Sequence, residues 1–301
     1  MTHQKIKLIK NSTILPMKGF PSALTGGVFT SDGEFLEDSI VERGLPRELE
    51  RPVEYLSGTY IWGGCLFGHF GHFILESLAR LYAFRQCKNY PILFINENDS
   101  VFHYQKTIFE SLGIKNEIIR IKIPTSVENL VYSKPGFVLN PLHIIDEQIN
   151  ALKYFYFQKN GGLNCDKNSK KIWLSRSNIL TGAVVNEFPI EKILKKIGYK
   201  IVHPENLSLQ EQIRLISTSD VVAGFDGSQF YTLLFALDIS SKFYIFNRRP
   251  KIPEAIPYVL QKRNVEFELH NFDVEYICGE DAWAYHIHSE PEKIIEILRC
   301  L

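Results

Sequence analysis

The sequence has no run of about 18 consecutive apolar residues, which excludes a membrane-spanning helix by the usual length criterion. Its opening residues, MTHQKIKLIKNSTILP, contain no apolar stretch of the kind that directs secretion. Cysteine is sparse: Cys65, Cys87, Cys165, Cys278 and Cys300 are odd in number and never form a CxxC pair. That pattern argues against a disulfide framework or a zinc knuckle and for a reducing cytoplasm. Neither sign of charge is in excess, since 34 Lys and Arg face 34 Asp and Glu. No global field recruits nucleic acid or an anionic membrane, so any basic site has to be local.

What is present is ordinary globular material, and 301 residues suit two domains of about 150. From residue 170 short apolar runs alternate with helical spacing: KKIWLS, then PIEKILKKIG, then YKIVH. The alternation continues through a helix over LSLQEQIRLISTS with Ser208 as its N-cap, a strand at DVVAG, a helix from Gly227 to Leu237, a strand at KFYIF, a helix near 253–262 and a strand at VEFEL. The opening 60 residues, rich in Gly and Pro, read as short strands and loops. They lead to an amphipathic helix over 69–86, strands at PILFI, EIIRIKI and NLVYS, and helices near 103–112 and 143–158. The expectation is an α/β protein of two Rossmann-like lobes with parallel sheets and a cleft between them. The first lobe would span 1–160 and the second 170–301, with KNGGLNCDKNSK (159–170) as linker and the closing helix PEKIIEILRC free to pack back on the first lobe.

Three stretches carry polar residues in site-like patterns. In VVAGFDGSQFYTLLF an apolar strand breaks at Asp226, Gly227 and Ser228 before a helix, an arrangement that offers backbone amides to an anion, or simply a cap for the helix. Arg176 follows KKIWLS directly and would emerge at the carboxyl end of the sheet, suited to phosphate or merely solvated. Glu211 and Gln212 lie in the helix before DVVAG, as ribose ligands or exposed helix residues. In the first lobe, His69, His72, Glu76 and Arg80 share one helical stripe. A His with a neighbouring carboxylate suits proton abstraction from a hydroxyl; the stripe equally admits metal ligation or plain polar contacts with neighbouring loops. NRRPKIPEAIPYVLQKR (247–263) sets five basic residues among apolar ones, a pattern for anionic lipid, a charged acceptor or a solvated helix face.

No GxxxxGK[ST] and no GxGxxG occurs, which disfavours P-loop and nicotinamide chemistry. No DxD is present, the pair that holds manganese in single-lobed sugar transferases. With the order His72, Glu76, Arg80; Ser175, Arg176; Asn186, Glu187; Glu211, Gln212; Asp226, Gly227, Ser228, the chain resembles glycosyltransferase family 61 over about residues 62–237. It departs from the family in carrying Asp226 where a His is common, and in lacking an Arg just before Asn186.

The resemblance implies a GT-B-like, metal-independent inverting transfer from a nucleotide-diphosphate sugar, most commonly UDP-linked, to a hydroxyl of a bacterial surface glycan or lipid-linked glycan. His72, Glu76 and His69 would serve catalysis and Arg80 the acceptor side. The donor would meet Ser175, Arg176, Asn186, Glu187, Glu211, Gln212, Asp226, Gly227 and Ser228. No cofactor and no metal is implied, no nucleic acid is a partner, and the location is cytoplasmic with peripheral contact at the inner face of the plasma membrane. A polysaccharide pyruvyltransferase, a nucleotide-sugar epimerase and a non-catalytic glycan-binding subunit are the alternatives.

Overall fold

In a computed structural model, which describes residues 6–19, 24–84, 87, 89–96, 103–160, 171–180, 182–279 and 285–301, the chain divides into two units, Met1–Gly161 and Gly162–Leu301. The expected linker over 159–170 lies, from residue 161 onward, outside the described residues. Among the described residues no helix is long and apolar enough to cross a membrane.

The first unit is built on β1 (Ile6–Lys18), β2 (Thr25–Phe29), β3 (Glu54–Cys65), β4 (Ile92–Ile95), β5 (Ile118–Ile121) and β6 (Thr125–Ser133). Their order is β2-β1-β6-β3-β4-β5. The strands β6, β3, β4 and β5 run parallel, but β1 is antiparallel to both of its neighbours. The sheet is therefore mixed, which corrects the expectation of a parallel sheet here. Within the opening 60 residues the short strand β2 and the loops around the 3-10 turn Glu37–Ser39 are as expected, whereas β1 is one long strand. Pro16, which lacks an N–H, is accommodated because pairing with β6 ends at Ile14 and the pairing with β2 bulges between Leu15 and Lys18. Trp62, Leu93, Leu130 and Ile14 close one side of the sheet as a single apolar core.

The amphipathic helix expected over 69–86 is broken into α1 (Phe70–His72), a π-helical turn (Phe73–Ser77) and α2 (Leu81–Phe84). The cause is tertiary. After the short strands β7 (Phe137–Leu139) and β8 (Leu142–Ile144) comes α4 (Asp146–Asn160), whose buried Gln148 inserts its amide into the ladder. Its Nε2 donates to Leu78 O at 2.7 Å and its Oε1 accepts from Tyr82 N at 3.2 Å, standing in for the helical bond between those two residues. Gly136 N takes the next carbonyl, that of Ala79. Between β4 and β5 runs α3 (His103–Ser111), as the sequence pattern predicts.

In the second unit β9 (Lys171–Leu174), β10 (Tyr199–Val202), β11 (Val221–Phe225), β12 (Lys242–Phe246) and β13 (Phe267–His270) form a sheet of order β10-β9-β11-β12-β13, parallel throughout. Side chains alternate across it. Trp173, Ala223, Phe225, Tyr244 and Phe246 join one buried cluster with Ile190 and Leu194 of α5 (Glu187–Lys196) and Ile294 and Leu298 of α8 (Pro291–Arg299). The closing helix α8 sets its apolar stripe against the sheet of its own unit, and Leu298 O also accepts from Tyr199 Oη at 3.0 Å. Ile172, Val222, Phe243 and Ile245 point to the other face, where Phe230 meets Phe243 at 6.3 Å between ring centroids. Phe230 lies in a 3-10 helix, Ser228–Phe235, where the sequence pattern predicts an α-helix. The hairpin of β14 (Val274–Cys278) and β15 (Tyr285–His288) has no counterpart in the sequence reading.

Helix α6 (Leu209–Thr218) begins as expected at Ser208, whose hydroxyl accepts from Glu211 N while the Glu211 carboxylate accepts from Ser208 N at 2.9 Å. Ser208→Ala removes the acceptor of the Glu211 N–H, while the Glu211 carboxylate can still accept from the backbone N–H of residue 208. Urea denaturation should show a loss of about 1 kcal/mol.

Candidate functional site

In the parallel sheet, β9 passes to β10 on one side and the chain then returns to β11 on the other, so the order switches direction between β9 and β11. In sheets of this kind the crevice outside the carboxyl ends of those two strands is where ligands bind. Ser175 and Arg176 follow β9, and Asp226, Gly227 and Ser228 follow β11.

Arg176 is 8% exposed, and burial, the largest effect, lowers its guanidinium pKa against the opposing pull of Glu187 and Asp226. A Cβ on Gly227 would stand 2.7 Å from Arg176 Nη1, so glycine is what lets the guanidinium lie against the turn. Asp226 is fully buried. Its Oδ1 accepts from Arg248 N at 2.7 Å, its Oδ2 from Arg249 Nε at 3.3 Å, and its backbone O from Arg248 Nε at 3.0 Å. Burial pushes the Arg248 pKa down to about 10, with Asp226 opposing and the charges of Arg176 and Arg249 adding to the fall. The guanidinium groups of Arg248 and Arg249 thus share one fully buried carboxylate at the ends of β11 and β12, at 3.6 and 3.3 Å from Oδ2, and Arg176 at the end of β9 lies within its field. Arg176 also feels the charges of Glu187 and Glu205.

This corrects the reading of 247–263 as one basic face. Arg248 and Arg249 turn in to Asp226, Lys251 pairs with Glu254 at 2.9 Å, and Arg263 donates to the carbonyls of Leu233 and Leu237 at 3.0 and 3.2 Å. A signal for the two inward arginines was present: they follow the strand KFYIF as Arg176 follows KKIWLS.

The other residues singled out around this crevice are engaged within the fold. Ser175 Oγ donates to Glu191. Asn186 donates to His288 O at 2.8 Å and accepts from His288 N at 3.0 Å, fastening β15. Glu211 caps α6, and Gln212 Nε2 donates to Pro204 O and Leu207 O at 2.9 and 3.2 Å. Ser228 is half-buried at the start of the 3-10 helix. Glu187 stands behind Arg176: its Oε1 accepts from Arg176 N and from Trp173 Nε1, each at 3.0 Å, and so orients the start of the arginine loop. Gln229, which the sequence reading missed, accepts from Arg176 Nη1 at 3.5 Å and donates to Phe225 O at 2.8 Å.

In the first unit the break in the helix keeps His72 and Glu76 together and separates Arg80 from them. His72 Nδ1 donates to Glu76 Oε2. Glu76 is nearly enclosed, while the His72 side chain is 37% exposed, and Nε2 is the ring nitrogen that does not meet Glu76. Arg43 grips the same carboxylate, Nη1 on Oε1 and Nη2 on Oε2 at 3.1 Å. Burial alone would raise the Glu76 pKa; the hydrogen bonds from His72 and Arg43 outweigh it and hold the carboxyl below its ordinary range. The exposed His69 packs its ring 5.2 Å from that of His72. Arg80 does not share the stripe. It is buried, donating from Nε to Ser133 O at 3.0 Å and from Nη2 to Asp38 O, over a Gly64 whose φ of +95° and missing side chain make room for it. Glu76 and Arg80 line a cavity of about 370 Å3 together with Glu37, Asp38, Glu42 and Phe137. Among the described residues no three His, Cys, Asp or Glu side chains gather as a metal site.

Glu187 makes the site's testable electrostatic signature. It is fully buried, and burial raises its carboxyl from 4.5 to about 7 against the lowering effect of the Arg176 and Trp173 hydrogen bonds. A carboxyl whose folded pKa lies above its unfolded one binds more protons when folded, so its contribution falls as pH rises from about 4.5 through about 7. The loss approaches about 3 kcal/mol. Denaturant unfolding of wild type and Glu187→Gln should therefore agree near pH 5 and diverge above pH 7, with the Gln variant the more stable.

The protein-family model described as Glycosyltransferase 61 matches residues 70–241, more than half of the chain. A search of curated proteins gives no match. The matched stretch holds His72, Glu76, Arg80, Arg176, Glu187, Asp226 and Gly227; Arg43, His69, Arg248 and Arg249 come from the flanking segments. With a sugar donor and a glycan acceptor as its partners in general, the chain belongs to glycosyltransferase family 61.

Proposed function

We propose that the protein is a metal-independent, inverting glycosyltransferase of GT-B type. It moves a hexosyl or pentosyl group from a nucleotide-diphosphate sugar, UDP-linked by preference, to a hydroxyl of a bacterial surface glycan such as capsule, lipopolysaccharide or exopolysaccharide. The work is done in the cytoplasm, with the acceptor carried at the inner face of the plasma membrane.

The observation that carries this reading is the pairing of Arg248 and Arg249 with the buried Asp226 carboxylate beside Arg176, which lies against Gly227 in the same turn. A diphosphate suits this crevice, and Arg176 and Arg249 supply the positive charge that stabilises it as it leaves. The second unit thus binds the donor. In the first, His72 is the base: Glu76 fixes the tautomer by accepting from Nδ1, and Nε2 takes the proton of the acceptor hydroxyl as its oxygen attacks the anomeric carbon. The bond from that carbon to the diphosphate breaks, its electron pair stays with the diphosphate, and the configuration inverts. Glu76 itself is a weak base, since two donors stabilise its charged form. The carboxylates of Glu37, Asp38 and Glu42 around the neighbouring cavity offer acceptors for sugar hydroxyls.

A thermal-shift panel of nucleoside diphosphates and nucleotide sugars, with and without EDTA, tests the donor assignment. One diphosphate at a hundredfold its Kd should stabilise the chain by about 2.7 kcal/mol, unaffected by EDTA and lost in Arg176→Ala. His72→Gln should keep that shift and lower kcat by about a hundredfold or more. Abolition by EDTA would refute metal independence. No shift with any nucleotide would refute the nucleotide-sugar donor and favour pyruvyl transfer from phosphoenolpyruvate or glycan binding without turnover.

A further inference from the structure

Two donors meet on one oxygen of Glu76. His72 Nδ1 and Arg43 Nη2 both contact Oε2, and Arg43 Nη1 holds Oε1. Arg43 is steadied over the Phe67 ring, 5.2 Å from its centroid, and that same ring packs 5.7 Å from the ring of His72. Arginine, histidine and carboxylate therefore form a connected set around one aromatic. Arg43 is supplied by the loop after the 3-10 turn Glu37–Ser39, outside the segment that matches the family.

We propose that Arg43 is a positioning residue that sets how much of the Glu76 charge reaches His72, and thereby how readily the imidazole takes up and gives up the acceptor's proton. A carboxylate that already satisfies a guanidinium through both oxygens has less charge to offer the imidazolium. Arg43 also adds positive charge of its own near the ring. Both effects of the guanidinium act in one direction, toward a weaker pairing of the imidazole with Glu76. Other groups modulate the set without replacing Arg43. His69 lies beside His72 on the same helical run, Glu42 faces Glu76 from the Arg43 loop, and Arg80 and Cys65, from the helical run and the end of β3, lie within the same field.

The inference rests on His72 as the base, but its test does not depend on turnover. The ring-proton NMR signal of His72, assigned by its loss in His72→Gln, is followed against pH in the full-length wild type, Arg43→Met and Arg43→Lys. In Arg43→Met the imidazole should bind its proton about tenfold more tightly. Arg43→Lys should move in the same direction by less, because one ammonium keeps the charge but cannot span both carboxylate oxygens. That smaller movement decides the matter should the Met variant fail to fold. Coincidence of the variant titrations with wild type overturns the proposal. Absence of transferase turnover would leave these titrations unchanged, so the two readings fail separately.

Discussion

A carboxylate with no exposure to water is tolerable only if its partners replace every hydrogen bond that water would have given. Asp226 meets that condition through the backbone N–H of Arg248 and the guanidinium of Arg249, and its own N–H donates to Phe246 O at 2.8 Å. The turn after β11 is thereby joined to the turn after β12, and both to Arg176, which lies against Gly227. The geometry of the switch point follows from this one buried charge. Arg248 and Arg249 pair with it, and Arg176 lies beside the same turn within its field.

The same logic recurs in the first unit around Glu76. There, too, a buried carboxylate is held by an arginine from a distant loop, and the sharing of one oxygen between Arg43 and His72 links a structural ion pair to a titratable side chain that faces solvent. The arginines in direct contact with the two carboxylates, Arg43 and then Arg248 and Arg249, lie outside the residues that match the family, while both carboxylates and Arg176 lie within them.

Between these two points the fold departs from local preference where a tertiary contact is stronger. The helix that begins at Phe70 has continuous apolar spacing and no proline, yet Gln148 takes over the bond between Leu78 and Tyr82 and the run breaks between the π turn Phe73–Ser77 and α2. The consequence is chemical as well as architectural. His72 and Glu76, four residues apart, remain in contact, whereas Arg80 rotates away to the carbonyls of Ser133 and Asp38.

Local pattern by itself determined the alternation of strands and helices in the second unit, the capping of α6 by Ser208, and the emergence of Arg176 and Asp226 at the carboxyl ends of their strands. Each depends on residues adjacent in the chain: the period of apolar side chains, a hydroxyl three residues before a carboxylate, or a polar residue directly after a buried strand. The His72–Glu76 pair was legible for the same reason, as an i to i+4 contact on one helical turn. Only the tertiary structure decided that Asn186 and Ser175 are consumed in tethers, that the first sheet is mixed, and that Arg43, Arg248 and Arg249 are the counter-charges. Those outcomes depend on residues far apart in sequence, such as Asn186 with His288 and Arg43 with Glu76, brought together by burial of apolar surface. An arginine in a loop carries no sequence mark of the carboxylate it will meet, because that choice is made by which loop the packed core brings within reach of it.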